Sequence, residues 1–267
     1  LILLPDLYIW WNYTRLHEGF IRTAILLLPS VLVIACMILL FCQVRAAMLM
    51  QWAFILIICI TIPKLVFVLT DLIGRGVTFH WPIAQPYVHK VSIVLAVLMA
   101  AVQVYGTAYG WRSLRVIHQA IKVTRLPQSF EGYRIVQLSD IHLGTYAGDT
   151  SIMQAMVDSV NRLQPDLIVF TGDMVNTASA EAMPFIKVLK RLKAKDGVLS
   201  VLGNHDYCMY QPGLTPRQQE EEVQRIVRMQ RLMDWNVLLN QHYSISRGED
   251  TLYVAGVENV GKPPFPE

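Results

Sequence analysis

The feature that most constrains this chain is a series of long apolar runs that carry almost no charge. Residues 24–43 form one such run without a charged residue, and residues 92–110 form another. Residues 51–71 are long enough as well, although they contain Pro63 and Lys64. A helix that crosses the hydrocarbon core of a bilayer needs about 20 predominantly apolar residues. Each run therefore predicts a membrane-spanning helix.

Two further features indicate a membrane region. Residues 1–11 are apolar over about half a span, and we expect them to be the end of a helix that begins before Leu1. The four runs together predict about four spans over residues 1–111, the first of them truncated. Amphipathic aromatic side chains concentrate at headgroup depth, and such residues lie at or between the ends of these runs: Trp10, Trp11, Tyr13, Trp81, Tyr87, Tyr105, Tyr109 and Trp111.

The composition changes after residue 111. Only 16% of the whole chain is charged, against about 25% in an average soluble domain, and the deficit lies in the apolar runs. Residues 112–130 form a basic linker that we expect to touch lipid headgroups, and residues 131–267 have the composition of a globular domain. The net charge of +3 is too small to indicate a nucleic-acid partner, and we expect none.

Charges in and between the spans bear on orientation and on function. Loop residues on the side of the globular domain include five basic residues, against four on the other side, so the positive-inside rule favours a cytoplasmic domain by one residue. Lys64 lies inside a span, where a charge is a candidate functional site; the alternative is that it snorkels or pairs inside the bundle. Asp71 is about 10 Å further along the same helix, which is too far for direct pairing.

Strand-like and helix-like segments alternate after Pro127. This alternation predicts a mostly parallel sheet with helices packed on it. A hairpin is predicted near the end, where HYSIS is followed by TLYVAGV. The predicted strands are residues 134–139, 166–171 and 197–202, and the predicted helices are residues 150–163, 180–194 and 216–235.

Polar residues that bind metals or move protons follow each of the three strands. Because the carboxyl ends of parallel strands share one edge of the sheet, where ligands bind, these residues are predicted to build a single site. Each motif alone is weak or moderate evidence for such a site. The prediction depends on all three motifs following three successive strands. The residues are Asp140, His142, Asp173, Asn204, His205 and Asp206.

The donor types at this edge indicate divalent metal ions. Carboxylate, imidazole and amide donors suit Mn, Fe, Zn or Mg better than a thiolate site does. A carboxylate such as that of Asp173 can bridge two ions, and two such ions can clamp a phosphoryl group and activate water. The sequence therefore predicts two divalent ions and a phosphoester substrate.

Three sequence blocks resemble the calcineurin-like metallophosphoesterases. They are SDIHLG at 139–144, FTGDMVN at 170–176 and VLGNHDY at 201–207. The similarity is closest to the membrane-associated bacterial branch, which implies a multi-pass protein of a bacterial cell membrane. The resemblance also implies an α/β/β/α sandwich. The expected fold is therefore a multi-pass α-helical membrane region followed by an α/β metallophosphoesterase domain, incomplete at its C-terminus.

The resemblance also implies roles for the metal-binding residues. Asp140 and His142 would bind the first ion, Asp173 would bridge the two ions, and Asn204 would bind the second.

The two residues that follow Asn204 are implied to act on the substrate. His205 would protonate or stabilise the leaving group, and Asp206 would orient His205. The family also uses later histidine blocks, and the one later histidine here, His242, lies in neither pattern. We expect those blocks to lie beyond Glu267, so this chain alone would bind metal poorly.

Two functional hypotheses follow from these observations. The first is a membrane-anchored two-metal-ion phosphoesterase that hydrolyses a phosphomonoester, phosphodiester or pyrophosphate bond, with lipid-linked substrates among the candidates. The second, motivated by Lys64 and Asp71, is a membrane transport or sensor protein with a degenerate, non-catalytic phosphoesterase-like module. Nucleic-acid processing ranks below both, because no basic aromatic groove is evident.

Overall fold

The computed structural model of the chain describes residues 2–14, 20–42, 47–110 and 113–259, with the backbone alone for residues 47–51. It divides into two compact units, Leu1–Arg115 and Val116–Glu267. Each unit is described by itself below. Arg15, Arg45 and Arg112, which enter the count of loop charges, and the aromatic residue Trp111 lie outside the described residues.

The first unit is built from helices. Three helical segments of the described residues are long and apolar enough to cross a membrane, namely Phe20–Phe41, Trp52–His80 and Pro82–Ala108. This confirms the prediction of apolar helices ahead of the globular unit. The helices are α1 (Leu4–Ile9, continuing as a π-helix over Trp10–Thr14), α2 (Phe20–Phe41), α3 (Ala47–Leu56), α4 (Ile62–Val77) and α5 (Gln85–Ala108).

Lys64, near the start of α4, is paired with a carboxylate of another helix. Its Nζ donates to Oδ1 of Asp6 at 2.5 Å, and also to the carbonyl of Leu26 and the hydroxyl of Ser30, both at 3.0 Å. Asp6 is fully buried. Because an unpaired charge is very costly away from water, the ammonium and the carboxylate stabilise each other between α1 and α4.

Asp71, also on α4, has three donors around its carboxylate. The hydroxyls of Tyr8 and Tyr13 each donate to it at 2.6 Å, and Nε of Arg75 donates at 2.8 Å. Both charges that motivated the transport or sensor hypothesis therefore have partners from the helices around them.

The second unit is built on a parallel sheet. Four strands lie side by side in chain order, and every neighbouring pair is parallel. An antiparallel hairpin follows, so the predicted parallel sheet and hairpin are confirmed. The strands are β1 (Ile135–Leu138), β2 (Leu167–Phe170), β3 (Val198–Ser200) and β4 (Trp235–Val237), with β5 (Gln241–Arg247) and β6 (Asp250–Gly256) in the hairpin.

Alternate residues of the central strands face two separate cores. On β2, Ile168 and Phe170 pack with the helices, whereas Leu167 packs with Ile245 of the hairpin. This is the period of two that a strand imposes on its side chains. The sheet therefore lies between a helical layer and the hairpin. The helices are α6 (Ser151–Arg162), α7 (Ile186–Leu189) and α8 (Pro216–Leu232).

Two helix predictions were partly wrong. Residues predicted as a helix over 180–194 form a 3-10 helix, Ser179–Phe185, followed by the short α7. Pro184 lies inside the 3-10 segment; it has no N–H to donate and disfavours α-helical geometry in the residue before it.

The other correction concerns Trp235, which the sequence places at the end of α8. The helix ends at Leu232, and Trp235 begins β4, a strand that the sequence did not predict. The Trp235 side chain is buried, with its ring 5.3 Å from that of Phe170. Packing of this ring in the core thus overrides the helical periodicity of the preceding residues.

Candidate metal centre

The loop that follows β1 is bonded along its length to the loop that follows β2. The N–H of Asp140 donates to the carbonyl of Gly172 at 3.0 Å, and that of His142 donates to the carbonyl of Asp173 at 3.1 Å. Since β1 and β2 are adjacent and parallel, both loops leave the same edge of the sheet. The bonds between the loops hold the first two predicted motifs together.

The loop that follows β3 is joined to them through the buried carboxylate of Asp206. Its two oxygens accept hydrogen bonds from four backbone N–H groups at 2.8 to 3.2 Å; the donors are Asp173, Met174, Val175 and Gly203. Burial raises the pKa of Asp206 to about 6, although the N–H donors favour its charged form. Asp206 therefore acts on the backbone of two loops, and among the described residues no hydrogen bond joins its carboxylate to the ring of His205.

Two glycines allow these loops to meet. Gly172 has φ of +100°, and a Cβ at that position would overlap the backbone of Gly203. A Cβ on Gly203 would in turn overlap Asp173. Any side chain at either position would push the second and third motifs apart.

Three of the predicted ligands have left-handed backbone conformations. The φ angles are 54° for Asp140, 48° for His142 and 60° for Asp173. Such values are uncommon for residues other than glycine and cost on the order of 1 kcal/mol or more each. The hydrogen bonds between the loops stabilise these conformations, which turn the side chains at the ends of the strands.

Four of the six predicted side chains bring ligand atoms close together. Nε2 of His142 lies 3.9 Å from Oδ1 of Asp140 and 3.8 Å from Oδ2 of Asp173. Ligand atoms of His142, Asp173 and His205 all lie within 4.8 Å of one another. The two distances from His142 are too long for hydrogen bonds. Two ligands about 2.1 Å from one ion lie roughly 3.0 to 4.2 Å apart, so these two distances and the donor types fit a divalent cation.

His205 is fixed by a backbone oxygen and by two rings. Its Nδ1 lies 2.7 Å from the carbonyl oxygen of Asn176, and because a carbonyl only accepts, Nδ1 carries the proton. The His205 ring lies edge-on to that of His142, at 4.6 Å between centroids, and 4.4 Å from the ring of Tyr210. Nε2 is therefore the nitrogen that remains for a ligand or a substrate.

Asn204 is held by a residue that the sequence did not single out. Its Nδ2 donates to the hydroxyl of Tyr210 at 3.0 Å, which leaves the amide oxygen as the end that can bind a metal. Tyr210 therefore contacts both Asn204 and His205. Its position six residues after Asn204 gives no pattern that sequence reasoning could have used.

Asn176 is a second residue without a predicted role. Its Oδ1 accepts from the N–H of Thr145 at 3.1 Å, and its Nδ2 donates to the Thr145 hydroxyl at 3.1 Å. Glu181 in turn accepts from the N–H groups of Asn176 and Thr177. The position of Asn176 inside the second motif block was the available signal.

His242 lies outside this group of ligand atoms. It is an exposed residue of β5, with its ring 5.9 Å from that of Tyr253. This location agrees with the interpretation of His242 as a strand residue.

Residues 133–263 match the sequence model of the calcineurin-like phosphoesterases. The globular unit of this chain therefore belongs to that family of metallophosphoesterases. No solved structure matches the chain.

Three relatives illustrate the range of similar proteins. A transmembrane protein with metallophosphoesterase domain from Danio rerio is 32% identical over 63% of this chain and 37% of its own length. The matched part of this chain is longer than the globular unit, residues 116–267, so the similarity also covers part of the first unit, Leu1–Arg115. The uncharacterized metallophosphoesterase YkuE of Bacillus subtilis is 32% identical over 42% of each chain. The UDP-2,3-diacylglucosamine pyrophosphatase LpxG of Chlamydia muridarum is 41% identical over 32% of this chain and 27% of its own length.

The matches cover about two fifths or less of the length of these relatives. The apolar helices and the relative from Danio rerio indicate that this protein is associated with a membrane.

Proposed function

We propose that the whole protein is a membrane-anchored hydrolase of phosphoester or pyrophosphate bonds that uses two divalent ions. The observation that carries this proposal is the convergence of His142, Asp173 and His205, whose ligand atoms lie within 4.8 Å of one another at the carboxyl edge of the sheet. The ions are Mn, Fe, Zn or Mg, because the donors are oxygen and imidazole nitrogen.

The roles follow those implied by the family resemblance. Asp140 and His142 would hold the first ion, Asp173 would be shared between the two ions, and the amide oxygen of Asn204 would hold the second. When bound, the ions neutralise phosphoryl charge and make water a better nucleophile at neutral pH. The chain supplies the orientation of these groups, because the loops that carry them are bonded to one another and to Asp206.

His205 is the proposed general acid. With Nδ1–H directed at the carbonyl of Asn176, the protonated ring donates its Nε2 proton to the leaving-group oxygen. The ring cannot turn without losing this bond and its contact with Tyr210. Asp206 contributes indirectly, since it holds the backbone on both sides of the site.

A lipid-linked pyrophosphate or phosphodiester is the proposed substrate class. The similarity to a UDP-2,3-diacylglucosamine pyrophosphatase supports a substrate with acyl chains. The apolar helices support the same class, because a membrane-anchored site meets lipid-linked substrates in its own bilayer.

The test is hydrolysis by the intact gene product, purified and reconstituted in vesicles with Mn, Zn, Mg or Fe(II) supplied separately. The probes are a diacylated nucleoside diphosphate sugar placed in the vesicles and bis-p-nitrophenyl phosphate in solution. We expect hydrolysis of both probes, with faster turnover of the lipid. Asp173→Asn should reduce both rates by at least about a hundredfold.

Asp234→Asn is the matched control, because Asp234 is an exposed carboxylate paired with Lys190; its rates should match the wild type. Absence of hydrolysis with every ion, or undiminished rates in Asp173→Asn, would refute the proposed activity. Hydrolysis of the soluble probe alone would refute the lipid-linked substrate and leave the phosphoesterase proposal intact.

A further inference from the structure

The segment that follows α5 exposes an unusual number of apolar side chains. Residues 113–125, here called the interfacial segment, form neither a helix nor a strand. Clusters of exposed apolar residues on a soluble surface usually mark an interaction site. Five apolar side chains of this segment are between 46% and 87% exposed: Leu114, Val116, Ile117, Ile121 and Val123.

The sequence of the interfacial segment has the period of an amphipathic helix. Its basic residues are Arg115, His118, Lys122 and Arg125, with spacings of three, four and three. At about 100° per residue they fall within an arc of roughly 80°. The five exposed apolar residues fall outside that arc, and the segment contains no Asp or Glu. A strand would instead place Leu114 and Val116 on the same face as His118 and Lys122.

Chain connectivity keeps this segment near the membrane surface. The last apolar helix ends at Ala108, five residues before Ser113. A fully extended chain advances at most about 3.6 Å per residue, so Ser113 lies within roughly 18 Å of the end of that helix. The interfacial segment therefore begins within reach of the lipid headgroups, whatever path the intervening residues take.

We propose that residues 113–125 fold into an amphipathic helix in the headgroup layer of an anionic bilayer. The apolar face would lie against the acyl boundary, and Arg115, Lys122 and Arg125 would bind lipid phosphates. A basic face opposite an apolar face is the pattern of interfacial helices. Each basic residue near an anionic surface strengthens binding about fivefold. This site is separate from the metal centre, and lipid charge rather than catalysis would control it.

Hydrogen–deuterium exchange of the backbone amides tests this directly. The protein is reconstituted through its own membrane helices in nanodiscs of phosphatidylcholine, with or without 30% phosphatidylglycerol. We expect amides 113–125 to be protected at least about tenfold more in the anionic nanodiscs. High salt should reduce the difference, since it screens charge at the surface.

Two double variants separate the contributions of charge and of apolar surface. Arg115→Glu/Lys122→Glu should remove the additional protection in anionic nanodiscs. Ile117→Ser/Ile121→Ser should remove protection in both lipids.

The matched control is Lys193→Glu/Arg228→Glu, which makes the same change of charge at exposed positions of the globular unit and should behave as the wild type. Protection of β2 amides in every variant shows that the globular unit is folded.

Equal exchange of the interfacial segment in the two lipids would overturn the proposal, whether the amides are protected or not. Protection that survives Arg115→Glu/Lys122→Glu would also overturn it, because the segment would then be covered by protein or held by apolar contact alone. No readout depends on hydrolysis, so failure here leaves the proposed phosphoesterase activity unaffected.

Discussion

An asparagine amide presents an oxygen at one end and a nitrogen at the other, and only the oxygen binds a metal ion. In this protein the nitrogen of Asn204 donates to the hydroxyl of Tyr210, so the amide oxygen is the end left available for a metal ion. The ring of Tyr210 also packs against His205. One hydroxyl and one ring thus position two adjacent residues of the site.

Removal of that hydroxyl should weaken metal binding without removing a ligand. We expect Tyr210→Phe to raise the Kd for Mn(II) by about tenfold, because residues that orient ligands typically contribute 10- to 100-fold to metal affinity. Titration calorimetry on the intact protein measures this effect. Tyr253→Phe, an exposed tyrosine of the hairpin, is the control. If Asn204→Ala weakens binding and Tyr210→Phe does not, Tyr210 has no part in orienting the amide.

Residues whose side chains do the chemistry can be recognised from the sequence. Residues that contribute through their backbone groups cannot be recognised in the same way. Asp140, His142 and Asp173 were identified because carboxylate and imidazole groups follow strands. The contact of His205 with Asn176 is made by a backbone carbonyl, which every residue type has. Its position depends on the path of the loop, which residue types alone do not determine.

At the scale of the elements, one carboxylate links several segments of the globular unit. Asp166, just before β2, accepts from Nζ of Lys195 at 2.7 Å and from Arg247, at the end of β5, at 3.1 Å. The N–H of Arg134, just before β1, donates to its other oxygen at 2.7 Å. Although burial opposes the charged form, these donors lower the pKa of Asp166 to about 2.

This carboxylate should make stability depend on pH in the acid range. The folded pKa is below the ordinary value of 3.8, so the contribution is present above about pH 4 and is lost as the pH falls towards 2. We expect Asp166→Asn to reduce the stability of the globular unit by about 1 to 2 kcal/mol at pH 7, after allowance for solvent screening. At pH 2.5 the loss of stability caused by Asp166→Asn should be markedly smaller.

Hydrogen exchange of β2 amides, compared at the two pH values, measures the difference. Asp158→Asn breaks an ion pair whose two side chains are about half exposed, so it should cost little at either pH. A cost for Asp166→Asn that is the same at both pH values would contradict this assignment.

The ion pair between α1 and α4 leads to a prediction for the membrane unit. Lys64→Leu should lower stability by about 3 kcal/mol, because it leaves the buried Asp6 without its cation. Asp6→Leu/Lys64→Leu should recover much of that loss, since neither charge then remains. Thermal unfolding in nanodiscs measures both effects, with Lys90→Leu, near Tyr87, as the control. A double variant less stable than Lys64→Leu would show that the pair is not the source of the stability.

The elements were predictable where local pattern and packing agree. Strands β1 to β3, the hairpin and α6 were predicted from apolar runs and their spacing. Strand β4 was missed because its three residues, Trp235–Val237, directly follow a long helical pattern. Only the buried Trp235 ring and pairing with β3 distinguish them from helix.

At the scale of the whole molecule, the hydropathy of the chain predicts a membrane region and a globular unit. The length of apolar run that a spanning helix needs is set by the thickness of the bilayer. A spanning helix can therefore be recognised from the sequence without knowledge of tertiary contacts. The partners of Lys64 and Asp71 could not be predicted in this way. Asp6, Tyr8 and Tyr13 come from a segment more than 50 residues earlier in the chain, and only Arg75, four residues after Asp71, has a spacing that indicates its pairing.

The order of the strands has a consequence for how the protein is made. Because β1, β2 and β3 lie side by side in the order of synthesis, the three motif loops can assemble successively as a nascent chain leaves the ribosome, N-terminal part first. The apolar helices emerge before any of them. Translation therefore delivers the loops of the candidate metal centre to a polypeptide whose apolar helices have already been made, and these loops can begin to assemble while the rest of the domain is still being synthesised.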